Sequence, residues 1–198
     1  MNVAILLTGA RLLLAPAFAY SFITAYNNNL ALGWLWGAFT FAALIELTDA
    51  FDGMVARRSG QVTDLGKVFD PAADSLSRLT AFISFMVLGI VPLWMFLVFM
   101  YRDMLMSLLR VICASKGTVL AARKSGKLKA VLQGIAIGLV VVITLLQAYD
   151  VIPRDLQWMG RHPGYWIVGF AAAFTALSLL DYVIPNWAKI KEMTRTKN

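Results

Sequence analysis

Long stretches without a charged residue constrain the fold of this sequence more than any other feature. Four of them span residues 30–45, 79–101, 130–149 and 163–180. Apolar runs of about 18 residues or more are typical of membrane-spanning helices. The chain of 198 residues is 60% hydrophobic, whereas soluble domains contain about 45–50% apolar residues. We therefore expect an all-α polytopic membrane protein that forms one domain over residues 1–198.

The pattern predicts six transmembrane helices. Their approximate bounds are 5–26, 30–56, 70–89, 93–114, 128–149 and 165–184. The stretch 79–101 also fits a single crossing, which would reduce the total to five. Gly89 and Pro92 favour a turn in its middle, and six helices follow from that turn.

The distribution of basic residues also favours six helices, because cytoplasmic loops collect Lys and Arg. With a turn at Gly89, the main basic segments all lie on one side of the membrane, and we expect both termini there. A short cytoplasmic tail is expected at about 187–198. In so apolar a chain, the formal net charge of +7 indicates contact with anionic lipid or phosphate-bearing substrates rather than with nucleic acid.

Four aspartates stand at the cytoplasmic edge of the predicted second and third helices. Asp49 and Asp52 are three residues apart, and Asp70 and Asp74 are four apart, so each pair shares a helix face. A short loop over 53–69 is expected to bring the pairs together. Converging carboxylates repel one another unless a cation binds them, and oxygen ligands favour Mg²⁺ or Mn²⁺.

Two other interpretations of these carboxylates remain open. They could be solvated aspartates at helix ends, paired with Arg57, Arg58 or Arg78. Carboxylates within a membrane also mark ion paths, so a cation-coupled transporter is a second alternative. A transporter site is expected near the membrane midplane, whereas these aspartates lie at one basic face.

The same segment resembles a known family signature. Asp49, Asp52, Gly53, Ala56 and Arg57 fit D-x2-D-G-x2-A-R. Eight residues later, Gly66, Asp70 and Asp74 fit G-x3-D-x3-D. This pattern is similar to that of the CDP-alcohol phosphotransferases, and all eight signature positions are present. The resemblance implies a six-helix, homodimeric enzyme that requires Mg²⁺ or Mn²⁺, with two ions at its site.

The resemblance also implies roles for the matching residues. Asp49, Asp52, Asp70 and Asp74 would ligate metal, and Asp74 would also be the general base. The CDP-binding residues it implies are Asp49, Asp52, Gly53, Ala56, Arg57 and Gly66.

Most of the chain up to about residue 135 resembles one branch of the family, the bacterial phosphatidylglycerophosphate synthases. The similar segments are the opening Asn2 to Arg11, Arg102-Asp103 with Leu109-Arg110, and Gly126 to Lys129 with Gln133. The branch implies an enzyme of the inner membrane that transfers phosphatidate from CDP-diacylglycerol to sn-glycerol 3-phosphate and releases CMP.

The acceptor site is also indicated by intramembrane cations. Arg102 and Arg110 are eight residues apart and share a helix face, so an anionic partner is expected. Together with Lys127 and Lys129 they would bind the acceptor phosphate. Arg102 could instead pair with Glu46 or Asp181, and Arg110 with Asp103. Lys127 could be an ordinary loop residue.

Three positions depart from the branch pattern. Ser75 replaces its usual Lys, Asp103 its usual Glu, and Ala4 its usual Pro. These departures leave inositol phosphate open as another acceptor, with serine or another alcohol fitting a basic pocket less well.

Two smaller features add expectations. Gly134 and Gly138 have the spacing of a close helix contact, either within the chain or at a dimer face. His162, the only histidine, is expected to have a surface role in the loop on the far face.

Overall fold

A computed structural model describes residues 3–59, 64–115 and 124–194 of the protein. Within these ranges only the backbone is described for several residues, including 52–59, 64–70 and 110. The described chain forms six α-helices and no strand. The helices are α1 (Val3–Asn27), α2 (Leu32–Ser59), α3 (Asp64–Val87), α4 (Leu93–Ser115), α5 (Lys124–Ala148) and α6 (Pro163–Thr194). The prediction of an all-α protein is confirmed.

The helices differ from the predicted spans at the ends where charged residues gather. The expected loop over 53–69 is wrong, because α2 continues to Ser59 and α3 begins at Asp64. Similarly, α6 extends past residue 184 to Thr194. Charged residues mark the end of an apolar span, but Lys, Arg and Glu are good helix formers, so a helix need not stop where its apolar span stops.

Six membrane spans are not confirmed. Within the described ranges, two helical stretches have the length and composition to cross a membrane, Ser125–Ala148 and Pro163–Ile184. Composition alone therefore supports two spans, although the number of helices is six.

A glycine-capped turn separates α3 from α4, as the sequence predicts. Gly89 has a φ of +70°, a left-handed conformation that glycine adopts without steric cost. The Ile90 amide donates to the Phe85 carbonyl at 2.9 Å, and the Gly89 amide donates to Met86 at 3.0 Å. These two bonds form a Schellman motif. The stretch 79–101 is therefore a helical hairpin and not one crossing.

Aromatic packing fixes α3 against α1 and α4. The rings of Phe82 and Phe99 stack with their centroids 4.1 Å apart. Phe22 packs edge-on against Phe85, with a centroid distance of 5.2 Å. All four side chains are buried, so they resist sliding of these helices. In addition α1 packs against α2, and α5 packs against both α2 and α6.

His162 caps the N-terminus of α6, where the sequence predicts only a surface role. The Gly164 amide donates to its Nδ1 atom at 3.0 Å, and Pro163 occupies the first helical position, as is common. Burial lowers the pKa of the His162 imidazole. A neutral ring is the form that can accept this bond, so burial and capping favour the same state.

Candidate active site

Arg11 on α1 lies between carboxylates from two other helices. Its Nη1 atom donates to Asp49 Oδ1 on α2 at 3.1 Å and also to Asp74 Oδ1 on α3. The Arg11 side chain is 1% exposed. A buried guanidinium is tolerated when it is paired and hydrogen-bonded. The packing of α1 against α2 and α3 therefore creates one charged cluster from three helices.

Arg78 and Glu46 extend this cluster along α3 and α2. Arg78 follows Asp74 by one helical turn, and its Nη2 atom lies 4.0 Å from Asp49 Oδ2. Glu46 precedes Asp49 by three residues and interacts electrostatically with Arg78, Asp49 and Arg11. The alternative pairing of the aspartates with Arg78 is thus realised for Asp49. We call Arg11, Asp49, Asp74 and Arg78 the carboxylate site.

A second charged cluster joins α4 to α5. The Asp103 carboxylate accepts hydrogen bonds from Arg102 Nη1 at 3.2 Å and from Lys129 Nζ. Lys129 is 4% exposed and Asp103 is 8% exposed. Arg102 Nε also donates to Ser178 Oγ on α6 at 3.3 Å. We call Arg102, Asp103 and Lys129 the basic pocket.

Ser75 connects the two clusters. It directly follows Asp74 on α3, and its hydroxyl lies close enough to the Asp103 carboxylate to interact with it. Lys129 in turn interacts electrostatically with Arg78 of the carboxylate site. The two clusters are therefore adjacent, with Asp74 and Ser75 on the helix between them.

The structure brings some of the predicted site residues together and leaves others undescribed. Asp49 and Asp74 meet at the carboxylate site, and Arg102 and Lys129 meet in the basic pocket. Lys127 is exposed, because it lies two residues before Lys129 and on a different face of α5. The remaining predicted residues lie on α2, α3 and α4, but their side chains are outside the described part: Asp52, Gly53, Ala56, Arg57, Gly66, Asp70 and Arg110.

Three residues of the site received no role from the sequence. Arg11 is an arginine within an otherwise uncharged helix (Val3–Asn27), so the rule that intramembrane charges are functional candidates would have found it. Asp103 and Ser75 were noted only as departures from a family pattern. Their mutual contact depends on how α3 packs against α4, and no local pattern encodes it.

The donor set of the carboxylate site fits a divalent metal ion. The carboxylates of Asp49 and Asp74 lie within hydrogen-bonding reach of each other, and one cationic nitrogen already bridges them. Carboxylate oxygens are the ligands that Mg²⁺ and Mn²⁺ prefer. Among the described side chains, Asp, Glu, His and Cys residues do not gather in groups of three; the side chains of Asp52 and Asp70 are outside that set.

An apolar cavity opens beside the carboxylate site. It has a volume of about 140 Å³ and lies between α2, α3 and α5. Glu46, Ser77 and Arg78 form its polar end, while Phe18, Phe39, Ile137 and Val141 are among the apolar side chains that line the rest. Gly134 faces Glu46 here, since a Cβ atom on this glycine would lie 2.8 Å from Glu46 Oε1. The close helix contact predicted at Gly134 is therefore intramolecular.

Comparison with known proteins identifies the family. The family model described as CDP-alcohol phosphatidyltransferase matches residues 1–177. A CDP-diacylglycerol–glycerol-3-phosphate 3-phosphatidyltransferase from Bacillus subtilis is 30% identical over 193 residues, covering 93% of this chain and 95% of that protein. The namesake from Treponema pallidum is 31% identical over 141 residues, and a probable phosphatidylglycerophosphate synthase from Mycobacterium tuberculosis is 34% identical over 142.

The extent of these matches differs between the relatives. The matched region is 71% of this chain in both shorter matches, but only 59% of the Treponema protein and 66% of the Mycobacterium protein. The family match covers every residue of the carboxylate site and the basic pocket, from Arg11 to Lys129. The chain belongs to the CDP-alcohol phosphatidyltransferase family.

Proposed function

We propose that this protein transfers a phosphatidyl group from CDP-diacylglycerol to sn-glycerol 3-phosphate, giving phosphatidylglycerophosphate and CMP. One structural observation carries the proposal. A pair of facing carboxylates, Asp49 and Asp74, lies directly beside a buried basic pocket, and Ser75 connects the two. Phosphoryl transfer to a phosphorylated alcohol requires both features, side by side.

The names of the relatives support glycerol 3-phosphate as the acceptor. Two of the three relatives reported above are named as glycerol-3-phosphate phosphatidyltransferases and the third as a probable phosphatidylglycerophosphate synthase. A buried pocket with two cations also suits an acceptor that carries a phosphate. Both considerations favour glycerol 3-phosphate over serine, which has no phosphate, and over a cation-coupled transporter.

The reaction is a substitution at phosphorus. Asp74 takes the proton from the acceptor hydroxyl, as a general base positioned beside it. The hydroxyl oxygen then forms a bond to the phosphorus that carries diacylglycerol. The bond from that phosphorus to the oxygen bridging to the CMP phosphate breaks, and CMP leaves with the bond's electron pair. Arg11 donates a hydrogen bond to Oδ1 of Asp74 and so holds this carboxylate at the site.

We assign the metal ligands to Asp49, Asp52, Asp70 and Asp74. Bound there, one or two Mg²⁺ or Mn²⁺ ions would neutralise the diphosphate and stabilise the leaving CMP. The CDP-binding residues in this proposal are Asp49, Asp52, Gly53, Ala56, Arg57 and Gly66. Small residues at positions 53, 56 and 66 leave room for the nucleotide, and the guanidinium of Arg57 suits phosphate oxygens.

The acceptor phosphate binds in the basic pocket. Arg102 and Lys129 are buried cations that converge from α4 and α5. A Cβ atom at Gly126 would lie only 3.7 Å from Arg102 Nη2, so the start of α5 closes over this arginine. Arg110 and Lys127 complete the proposed set, and Lys127 is exposed. The phosphate is thereby held beside Ser75, which directly follows the proposed base Asp74 in the sequence.

The lipid portion of CDP-diacylglycerol enters sideways from the membrane. The apolar cavity between α2, α3 and α5 ends at Glu46 and Arg78, next to the carboxylate site, and it suits an acyl chain or the glycerol backbone. Exposed apolar side chains also occur on helices other than α5 and α6, for example Leu13 on α1 at 77% and Val111 on α4 at 63%. Such exposure is expected where lipid replaces water.

We therefore propose one domain with six membrane-spanning helices, in the inner membrane and with both termini in the cytoplasm. The active site lies on the cytoplasmic side, where the basic segments gather and the water-soluble acceptor is available. A homodimer is proposed from the family resemblance.

The test is an acceptor panel with purified protein in detergent. CDP-diacylglycerol and Mg²⁺ or Mn²⁺ are supplied with glycerol 3-phosphate, inositol phosphate, serine or no acceptor, and CMP release is measured. We expect release with glycerol 3-phosphate at least tenfold above every other arm. Release with inositol phosphate or serine instead would keep the family chemistry and reject the acceptor. No release in any arm, together with ion flux in liposomes, would support the transporter.

A further inference from the structure

The Asp103 carboxylate is the common partner of two buried cations. It accepts hydrogen bonds from Arg102 Nη1 at 3.2 Å and from Lys129 Nζ. All three side chains are at most 9% exposed. Two cations this close repel each other in a poorly solvated interior, so the carboxylate between them fixes their separation.

The charge of the pocket also depends on Asp103. Arg102 and Lys129 carry two positive charges, and Asp103 offsets one of them. A phosphate monoester near neutral pH carries a charge between −1 and −2. The pocket thus keeps a net positive charge for this ligand, while in its absence the buried cations are not left wholly uncompensated.

Asp103 is anchored on its other side as well. The Ser75 hydroxyl interacts with the same carboxylate, and Ser75 is adjacent in sequence to Asp74. Arg102 is held independently by Ser178 on α6 at 3.3 Å. The carboxylate of Asp103 therefore sets where Lys129 lies relative to the proposed base on α3.

We propose that Asp103 is a positioning residue that orients Lys129 and Arg102 towards the phosphate of the acceptor alcohol. Asp103 itself does not touch the acceptor, because its negative charge would repel a phosphate. This inference rests on the proposed function, since it concerns the phosphate subsite of that same reaction. A merely structural ion pair between α4 and α5 is the competing explanation.

Kinetics of three variants separate the two explanations. Asp103→Asn removes the negative charge, Asp103→Glu keeps it, and Ser75→Ala removes only the hydroxyl that interacts with Asp103. The matched control is Asp150→Asn on the far face, where Asp150 is exposed and pairs with Arg154. For each variant we would measure kcat, the KM for glycerol 3-phosphate, the KM for CDP-diacylglycerol and the Tm in detergent.

We expect Asp103→Asn to raise the KM for glycerol 3-phosphate at least tenfold, with the KM for CDP-diacylglycerol within twofold of wild type. Asp103→Glu should recover the acceptor KM to within about threefold, and Ser75→Ala should raise it about threefold. Asp150→Asn should leave both constants unchanged. A fall in Tm with both KM values unchanged would overturn the proposal, as would equal changes in the two KM values.

Two further measurements keep the test decisive. If Asp103→Asn does not fold, the KM split of Ser75→Ala decides the question. If the wild-type protein releases no CMP with glycerol 3-phosphate, the proposed function fails, and binding of inorganic phosphate is then measured by thermal shift. Stabilisation of the wild type by phosphate, lost in Asp103→Asn and kept in Asp150→Asn, would support the role of Asp103. Equal stabilisation of all three proteins would overturn it.

Discussion

The guanidinium of Arg11 lies 3.1 Å from the carboxylate of Asp49, although the two residues are 38 positions apart in the chain. The same guanidinium contacts Asp74, so α1 supplies a cation that holds α2 and α3 in register at the proposed site. Arg11 lies outside the family signature, which runs from Asp49 to Asp74. Its position indicates that the N-terminal helix is part of the active site.

Replacing Arg11 should therefore impair both stability and turnover. Arg11→Ala leaves Asp49 and Asp74 to repel each other near a buried surface, which costs about 2 kcal/mol. We expect CMP release to fall at least tenfold and the Tm to drop. Arg11→Lys keeps the charge but loses the fork geometry, so an intermediate loss is expected. Arg154→Lys on the far face is the matched control, and equal behaviour of the two Lys variants would contradict the assignment.

Two glycines on α5 provide a matched pair for the contact with α2. A Cβ atom at Gly134 would lie 2.8 Å from Glu46 Oε1, whereas a Cβ atom at Gly138 would meet nothing within 4 Å. Gly138→Ala should stabilise the protein by about 0.5–1 kcal/mol through helix propensity. Gly134→Ala should stabilise it less, since Glu46 must move.

The difference between these glycine variants is measured by chemical or thermal unfolding in detergent. In a Glu46→Ala background the two alanine substitutions should become equivalent, because the obstructing carboxylate is gone. A difference that persists in that background would show that Glu46 is not the cause.

Lys129 and Lys127 provide a test of the basic pocket. Lys129 is buried against Asp103, whereas Lys127 is exposed two residues earlier on the same helix. Lys129→Met should raise the KM for glycerol 3-phosphate at least tenfold, because a charge-assisted contact to the phosphate is lost. Lys127→Met should raise it by a smaller factor, because the charge of an exposed lysine is screened by solvent. Steady-state kinetics with varied acceptor concentration distinguish these outcomes. A larger rise in KM for Lys127→Met than for Lys129→Met would mean that the acceptor binds at the exposed face.

The sequence predicts the number and type of the helices because apolar runs and a glycine-proline turn are local signals. The turn at Gly89 is one example, since a left-handed residue is needed where the chain reverses. The helix ends near Ser59 and Asp64 were missed, because polar helix formers continue a helix beyond its apolar part. Local patterns therefore report where a helix is apolar, and less reliably where it ends.

The site was only partly predictable for a related reason. Asp49 and Asp74 stand out as charges at the edge of apolar runs, and the structure places both against Arg11. The partnership of Ser75 with Asp103 depends instead on the packing of α3 against α4. A single sequence contains no record of such a contact, so these residues appear only as departures from a pattern.

His162, the only histidine of the chain, contributes to the pH dependence of stability, and comparison with a His162 variant isolates this contribution. Burial lowers the pKa of this imidazole below its usual value of about 6.5, and its neutral Nδ1 caps α6. As the pH falls below about 6.5, the unfolded chain binds the proton first, so the free energy of unfolding decreases.

The measurement is the Tm in detergent between pH 7.5 and 5.5. We expect His162→Asn, which keeps a capping acceptor, to lose part of this decrease. Since a helix cap contributes about 1 kcal/mol, the two proteins should differ by no more than that at pH 5.5. If the Tm of the two proteins fell in parallel with decreasing pH, a contribution from His162 would be ruled out.

The central claim is that the facing carboxylates of α2 and α3 carry out phosphoryl transfer. The most direct measurement is CMP release from CDP-diacylglycerol and glycerol 3-phosphate by Asp74→Asn, compared with Asp150→Asn. Removing a general base that also binds metal should lower turnover at least 1,000-fold, the upper part of the range of about 10²–10⁴ for such groups, with the Tm close to wild type. Turnover within tenfold of wild type in Asp74→Asn would contradict the account.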